Sequence, residues 1–279
     1  MAMGNWLLNW TITALFEAAI TSKTRAVCVV HYAGVACEMD EILAICQRYE
    51  LALVEDAAQG VLSFYKGRAL GSIGDYGALS FHETKKIISG EGGALLVNSE
   101  FDAQQAEIIR EKGTDRTSFY RGEIEKYTWQ APGSSFLPGE LVAAFLWAQL
   151  EDSGDINEKR LLSWRIYDRL LEQMEQQGKL RRPIIPVECD HNAHLYFVVL
   201  PGDVDRKAVL KELADQGIYC LFHYVPLHDS PAGKKYARVH DSLPVTEEMS
   251  NRLPLWVGIP SGDQELVVEA LSNAIGNAR

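Results

Sequence analysis

The chain has 279 residues, a net charge of −11, and a composition that is 47% hydrophobic and 23% charged. Such a chain can bury a core of ordinary size, so disorder is excluded, and its length suits one large domain or two ordinary ones. The acidic balance argues against nucleic acid as a partner, which needs clustered Lys and Arg, but leaves room for a nucleotide ligand held by a few local donors. The five cysteines, Cys28, Cys37, Cys46, Cys189 and Cys220, contain no CxxC pair and read as reduced thiols. The opening MAMGNWLLNWTITALF lacks a basic leader and a small-residue cleavage site. No run reaches the ~20 apolar residues of a membrane span. A soluble, cytoplasmic protein without a membrane partner is expected.

In chain order, AVCVVHYAG (26–34) is a β-branched run closed by Gly34, the pattern of a strand buried on both faces of a parallel sheet. CEMDEILAICQRYE (37–50) places Met39, Ile42, Leu43, Ile45 and Cys46 at helical spacing. LALVEDAAQG (51–60) is a second short strand, completing a β-α-β unit with an expected parallel sheet. Two more strands are read at 77–83 and 93–99, and a helix at 101–113 ending on Gly113. From Glu140 to about Gln177 the pattern is mostly helical. Beyond it a strand (193–200), a helix (205–217), a strand (218–224) and a final helix (263–275) are predicted. The expected division is 1–150 and 151–279.

Asp56 ends a predicted parallel strand, at the edge where α/β proteins bind ligands. An Asp there also commonly caps a helix or starts a turn, and spacing alone does not choose. SFHETKKIISGEGGALL (80–96) offers two lysines between a polar strand end and a glycine-rich loop. It reads either as a surface hairpin with solvated lysines or as a lysine presented for covalent attachment of a carbonyl cofactor. Seven histidines raise a metal reading, but no HExxH pair or zinc-ligand cysteine spacing supports it, the nearest grouping being Cys189, His191 and His194. No metal is expected.

The tracts HYAGVACEMD, VEDAAQG, YKGRALGSIGDYGALSFHETK, GEGGALL, REKGTDRTSFYRGEIEKYTW and FHYVPLH together resemble the DegT/DnrJ/EryC1/StrS family of sugar aminotransferases dependent on pyridoxal phosphate (PLP). The resemblance runs from about Thr11 to the C-terminus. It implies an α/β aspartate-aminotransferase-like (fold type I) large domain, incomplete at the N-terminus, with a smaller C-terminal α+β domain. It further implies PLP as cofactor, transfer of nitrogen from L-glutamate to the 4-keto carbon of a dTDP-linked 4-keto-6-deoxy sugar, and a homodimer.

Carried over by position, Lys85 would hold the cofactor and shuttle the proton. Asp56 would pair with the pyridine nitrogen, Gln59 would lie beside the ring and its phenolic oxygen, and Ser80 would donate to the phosphate. Ser135, in GSSF, would stand where relatives offer an asparagine to the phosphate across a dimer interface. His223, Tyr224 and His228 would lie near the substrate. Two departures stand out. The small-residue phosphate loop that precedes these tracts in the family is not found, and Lys86 follows the cofactor lysine where asparagine is usual. A truncated or divergent copy with weak cofactor binding and turnover near zero is therefore expected. The alternatives are an inactive remnant, or an enzyme acting on a different nucleotide-linked keto sugar.

Overall fold

The computed structural model describes residues 12–220, 224–250 and 252–278. After helix α1 (Ile12–Ala19), strand β1 (Ala26–Val30) leads through a 3-10 turn at Tyr32–Gly34 into helix α2 (Met39–Arg48) and strand β2 (Ala52–Asp56). Two short strands, β3 (Phe64–Tyr65) and β4 (Arg68–Ala69), precede β5 (Tyr76–Ser80) and β6 (Gly93–Val97). Helices α3 (Glu100–Arg110), α4 (Arg116–Tyr120), α5 (Glu140–Glu151) and α6 (Ser153–Gln176) follow. The remainder holds β7 (Cys189–Asp190), β8 (Tyr196–Val199), α7 (Arg206–Asp215), α8 (Pro231–Tyr236), α9 (Pro244–Met249), β9 (Arg252–Leu255) and α10 (Ser261–Asn277).

The main sheet has the order β1-β2-β5-β6, with β1, β2 and β5 parallel and β6 antiparallel. The expected β-α-β unit is β1-α2-β2, and α2 buries Met39, Ile42, Ile45 and Cys46 at the spacing read from the sequence. The central strands are not buried on both faces. Along β1, Val27 and Val29 are buried while Cys28 and Val30 are exposed. Residues Val30, Asp56 and Ala78 are register partners, so they share the open face. Gly77 in the middle of β5 has a packing reason, because a Cβ there would overlap the Gly71 carbonyl.

Buried apolar side chains form two main clusters. One joins β1, β2, α2 and the Leu70–Ile73 segment; the other joins α6, β8, α7, β9 and α10. A small third cluster of Ala33, Phe197, Val199 and Met249 lies where the two parts meet. Strand β9 pairs antiparallel with β8 where the sequence pattern predicts no element; it carries Pro254, a residue that obscures a strand pattern. The strand expected at 218–224 is absent over Ile218–Cys220, and 221–223 lie outside the described residues. No helix of the described residues is long and apolar enough to cross a membrane.

Strand β2 alternates sharply. Glu55, with no exposed surface, points into the packed face, and four donors meet its carboxylate: His31 Nε2 at 2.8 Å and the N–H groups of Gly71 (2.9 Å), Ile73 (2.6 Å) and Gly74 (2.6 Å). His31 Nδ1 accepts the Cys37 N–H at 3.2 Å, which leaves the proton on Nε2 to donate to Glu55. Burial pushes the Glu55 carboxyl up, but the His31 and backbone hydrogen bonds outweigh it and hold the group below its ordinary value. A depressed carboxyl contributes stability above its unfolded pKa, and that contribution is lost as pH falls through the folded value. Glu55→Gln should therefore cost about 3 kcal/mol by urea unfolding at neutral pH, with the gap to the parent closing in acid. A cost under about 1 kcal/mol would show that the carboxylate is dispensable.

Candidate active site

The carboxyl edge of the parallel strands gathers most of the residues singled out from the sequence. Asp56 closes β2 and Ser80 closes β5, and both project from the open face because Asp56 pairs with Ala78, two residues before Ser80. The segment after β5 folds back as an extension of the hairpin. Phe81 N–H reaches Gly92 at 2.9 Å, Glu83 N–H reaches Gly90 at 2.8 Å, and Gly90 takes a φ of 83° that a side chain disfavours. Within this loop Lys86 and Ile87 are buried, whereas Lys85 is half-buried. Gln59, Ser80, Lys85, Lys86 and His194 line one narrow crevice. Asp56 does not line it, but stands one strand away on the same face.

The hydrogen bonds already made decide what each group can still offer. Gln59 Oε1 accepts the Ala33 N–H at 2.6 Å, so its NH2 is the end left to donate. Ser80 Oγ accepts the His82 N–H at 3.4 Å, so its own proton is free for an outside acceptor. One Asp56 oxygen takes the Ala58 N–H at 3.0 Å, the turn foreseen as the plain reading, and the carboxylate still faces the open side beside Cys28. Burial and the charge of Asp56 push the Cys28 thiol up, against an opposing backbone hydrogen bond. An amine, a carboxylate and two donors on one open sheet edge fit a small ligand with acceptor oxygens and a basic ring nitrogen, as PLP has.

The other expected residues lie elsewhere. Ser135 is exposed and bridges Glu111 beyond the end of α3, outside the crevice. Tyr224 is exposed and lies near Tyr32, whose hydroxyl is pushed up chiefly by burial. His228 lies 3.5 Å from Glu247 and 3.8 Å from Asp229, away from the crevice. His223 lies outside the described residues. No His, Cys, Asp and Glu group suited to a metal occurs among the described residues. His191 instead packs on Trp164 with ring centroids 4.6 Å apart, and Cys189 pairs with Tyr65 in the small β4-β3-β7 sheet.

Asn192 and Arg160 are site residues that no sequence motif marks, and His194 and Lys86 take positions there that no motif gives. Asn192 is fully buried and donates to the Gln59 and Val61 carbonyls, both at 2.7 Å, locking the loop that carries Gln59. Arg160 on α6 donates to the Ala193 and His194 carbonyls at 3.2 and 2.6 Å. Burial, together with Lys85, Arg160 and Lys86, pushes His194 down to about 3, so a neutral imidazole faces the crevice. Lys86 reaches Asn157 Oδ1 on α6 at 2.7 Å. These contacts tie the Lys85 loop to α6 across 71 residues of sequence.

The fold is that of the fold type I aminotransferases, and the crevice lies at the sheet edge where such a fold binds ligands. The chain belongs to the DegT/DnrJ/EryC1/StrS aminotransferase family, whose model matches residues 9–272. This is a family of PLP-dependent sugar aminotransferases. The chain is 32% identical to an uncharacterised protein of Methanocaldococcus jannaschii over 94% of its own length and 70% of that protein's. It is 31% identical to the spore coat polysaccharide biosynthesis protein SpsC of Bacillus subtilis, covering 94% of this chain and 69% of that one. Among solved structures, aminotransferase TlmJ of Streptoalloteichus hindustanus superposes with a TM-score of 0.83 at 25% identity, over 96% of this chain and 70% of that one.

Burial, with Arg160 beside it, pulls Lys86 from the usual lysine range to about 7. The unfolded chain takes up this proton near pH 10.4 and the folded one only near 7. Stability is therefore lost as pH falls between those values, and the loss is complete below the lower one. Lys86→Met removes the effect. Urea unfolding should show the variant gaining about 2 kcal/mol on the parent between about pH 9 and about pH 6. A pH-independent difference would contradict a buried, depressed lysine.

Proposed function

We propose that the chain is a PLP-dependent transaminase that takes nitrogen from L-glutamate and delivers it to a nucleotide-linked keto sugar. The finer reading is the 4-keto carbon of dTDP-4-keto-6-deoxy-D-glucose, the reaction of a dTDP-4-amino-4,6-dideoxygalactose transaminase. The observation that carries the general reading is the clustering of Asp56, Ser80, Gln59 and Lys85 at one open sheet edge, with the Gln59 NH2 and the Ser80 hydroxyl left to donate. The sugar is supported by the tracts SFHETK and REKGTDRTSFYRGEIEKYTW and by likeness to a polysaccharide biosynthesis protein.

PLP, when bound, supplies an electron sink through which nitrogen is carried between two substrates in turn. Lys85 Nζ would hold it and move the proton at the substrate carbon. Asp56 would keep the ring nitrogen protonated, since a carboxylate beside a basic nitrogen favours its charged form. The Gln59 NH2 would donate to the phenolic oxygen and the Ser80 hydroxyl to the phosphate. A neutral His194 beside them adds no competing cation. Ser135 would serve the partner's cofactor in a homodimer, a reading supported by the unpartnered apolar surface of Phe136, Leu141, Phe145 and Trp147 around it. His223, Tyr224 and His228 would face the sugar side. Residues 1–150 would carry the cofactor and 151–279 would close over it.

Adding PLP to the purified protein should produce a visible absorption band that Lys85→Ala abolishes. At high PLP, L-glutamate should then discharge the band slowly in a single half-reaction that releases 2-oxoglutarate, in keeping with weak cofactor binding and turnover near zero. Asp56→Asn should keep the band and lose about 100-fold or more in amino transfer, as expected when proton movement loses its electrostatic support. A band that survives Lys85→Ala, or L-glutamate without effect, would contradict the reading.

A further inference from the structure

A cavity of about 240 Å³ begins at Val30, beside the crevice. Val30 is the register partner of Asp56 and lies on the same open face, so the cavity adjoins the candidate active site one strand over. The Tyr32–Gly34 turn forms one wall, and its Ala33 N–H is the group held by Gln59. The opposite wall is the β8–β9 pair. Tyr196, Val198, Leu253 and Leu255 face the core, while Phe197, Val199 and Arg252 face the cavity.

Three arginines line this space, and they are not equivalent. Arg182 is spent on Asp168 and Glu175, at 3.0 and 2.7 Å, and Arg181 pairs with Glu248 at 2.6 Å. Arg252 has no carboxylate partner among the described residues. Its guanidinium lies over the Tyr32 and Phe197 rings, 4.6 and 4.7 Å from their centroids, and bonds the Tyr32 side chain. Its Nε is buried and without a hydrogen-bond partner. Glu175 also lines the cavity, but its two oxygens are taken by the Arg182 N–H and Nε, both at 2.7 Å. Burial holds His191, also in the wall, down at about 4, so it is neutral.

Arg252 is half-buried with its Nε shut off from solvent, and a partly desolvated cation with no counter-charge is costly, a cost that ring stacking offsets only in part. A guanidinium matches a carboxylate through two parallel bonds. The walls at Val30, Ile185, Leu195 and Phe197 suit a short methylene stem. The volume is below the ~300–1,000 Å³ of pockets for larger ligands, which disfavours a whole nucleotide sugar. We propose that this cavity is the amino-donor pocket, in which Arg252 receives a carboxylate of a small aliphatic dicarboxylic amino acid. The proposal rests on the transaminase reading for its biological sense, while the binding itself needs no cofactor.

The test is calorimetric titration of cofactor-free protein with glutarate, which has the two carboxylates and no reacting group. Saturable binding in the millimolar range is expected, with glutaramide, its neutral counterpart, binding at least tenfold more weakly. Arg252→Met should weaken glutarate at least tenfold and Arg252→Lys about threefold to tenfold, since an ammonium offers a point charge in place of the fork. Circular dichroism melting reports whether each variant is folded. If Arg252→Met is not, Arg252→Lys and the glutaramide comparison decide. Equal binding of glutaramide, no saturation below about 50 mM glutarate, unchanged affinity in Arg252→Lys, or tighter binding of inorganic phosphate would each overturn the proposal. The PLP absorption band is recorded on the same preparation. Glutarate binding without a band leaves the pocket standing and removes the transaminase reading; a band without glutarate binding does the reverse.

Discussion

Everything at the sheet edge depends on where Glu55 goes. Its carboxylate is fully buried and holds His31 from the end of β1 together with three backbone N–H groups from the 71–74 loop. An unpaired carboxylate in such a place would be several kcal/mol unfavourable, so the four donors are a condition of the fold. Side chains alternate along a strand, so the inward commitment of Glu55 turns Asp56 outward. The two acids stand next to each other and have opposite fates. One is consumed by structure, and the other is left at the carboxyl edge with an oxygen to spare.

The same logic of partly spent groups runs through the neighbouring residues. Gln59 gives its oxygen to the Ala33 N–H, Ser80 accepts from the His82 N–H, and Lys86 is held by Asn157. Each bond fixes an orientation and leaves a defined remainder. The contacts of Lys86, Arg160 and Asn192 join the β5 loop and the Gln59 loop to the part of the chain built on α6 and β8. The cofactor lysine of the proposal is therefore positioned from both sides. The cavity around Arg252 opens where the two parts meet, at the small cluster of Ala33, Phe197, Val199 and Met249.

Much of this was legible in the sequence. The β-branched run at 26–30 and the helical spacing of Met39, Ile42, Ile45 and Cys46 are local patterns, and they fold as local patterns suggest. The lysine–glycine tract at 80–96 announced its loop through Gly90 and Gly92. What was not legible is set by distant partners. Lys86 meets Asn157, Asn192 meets Gln59, and Arg252 meets Tyr32, pairs that no periodicity reveals. Strand β9 contains Pro254, and the two-residue strands β3, β4 and β7 are too short to show an alternation. The family tracts marked Asp56 as the acid of interest and passed over Glu55, since a strand sequence does not say which of two adjacent carboxylates faces inward.

The central claim is that the loop after β5 presents Lys85 to the ligand edge and withdraws Lys86 into the joint with α6. The depressed Lys86 amine makes this a fair contest, because a neutral amine is the better nucleophile at physiological pH. Reductive trapping of PLP on the native protein with borohydride, followed by peptide mass mapping, reads the outcome directly. The account predicts the label on Lys85, lost in Lys85→Ala and undiminished in Lys86→Met; a label on Lys86 in the native protein would contradict it.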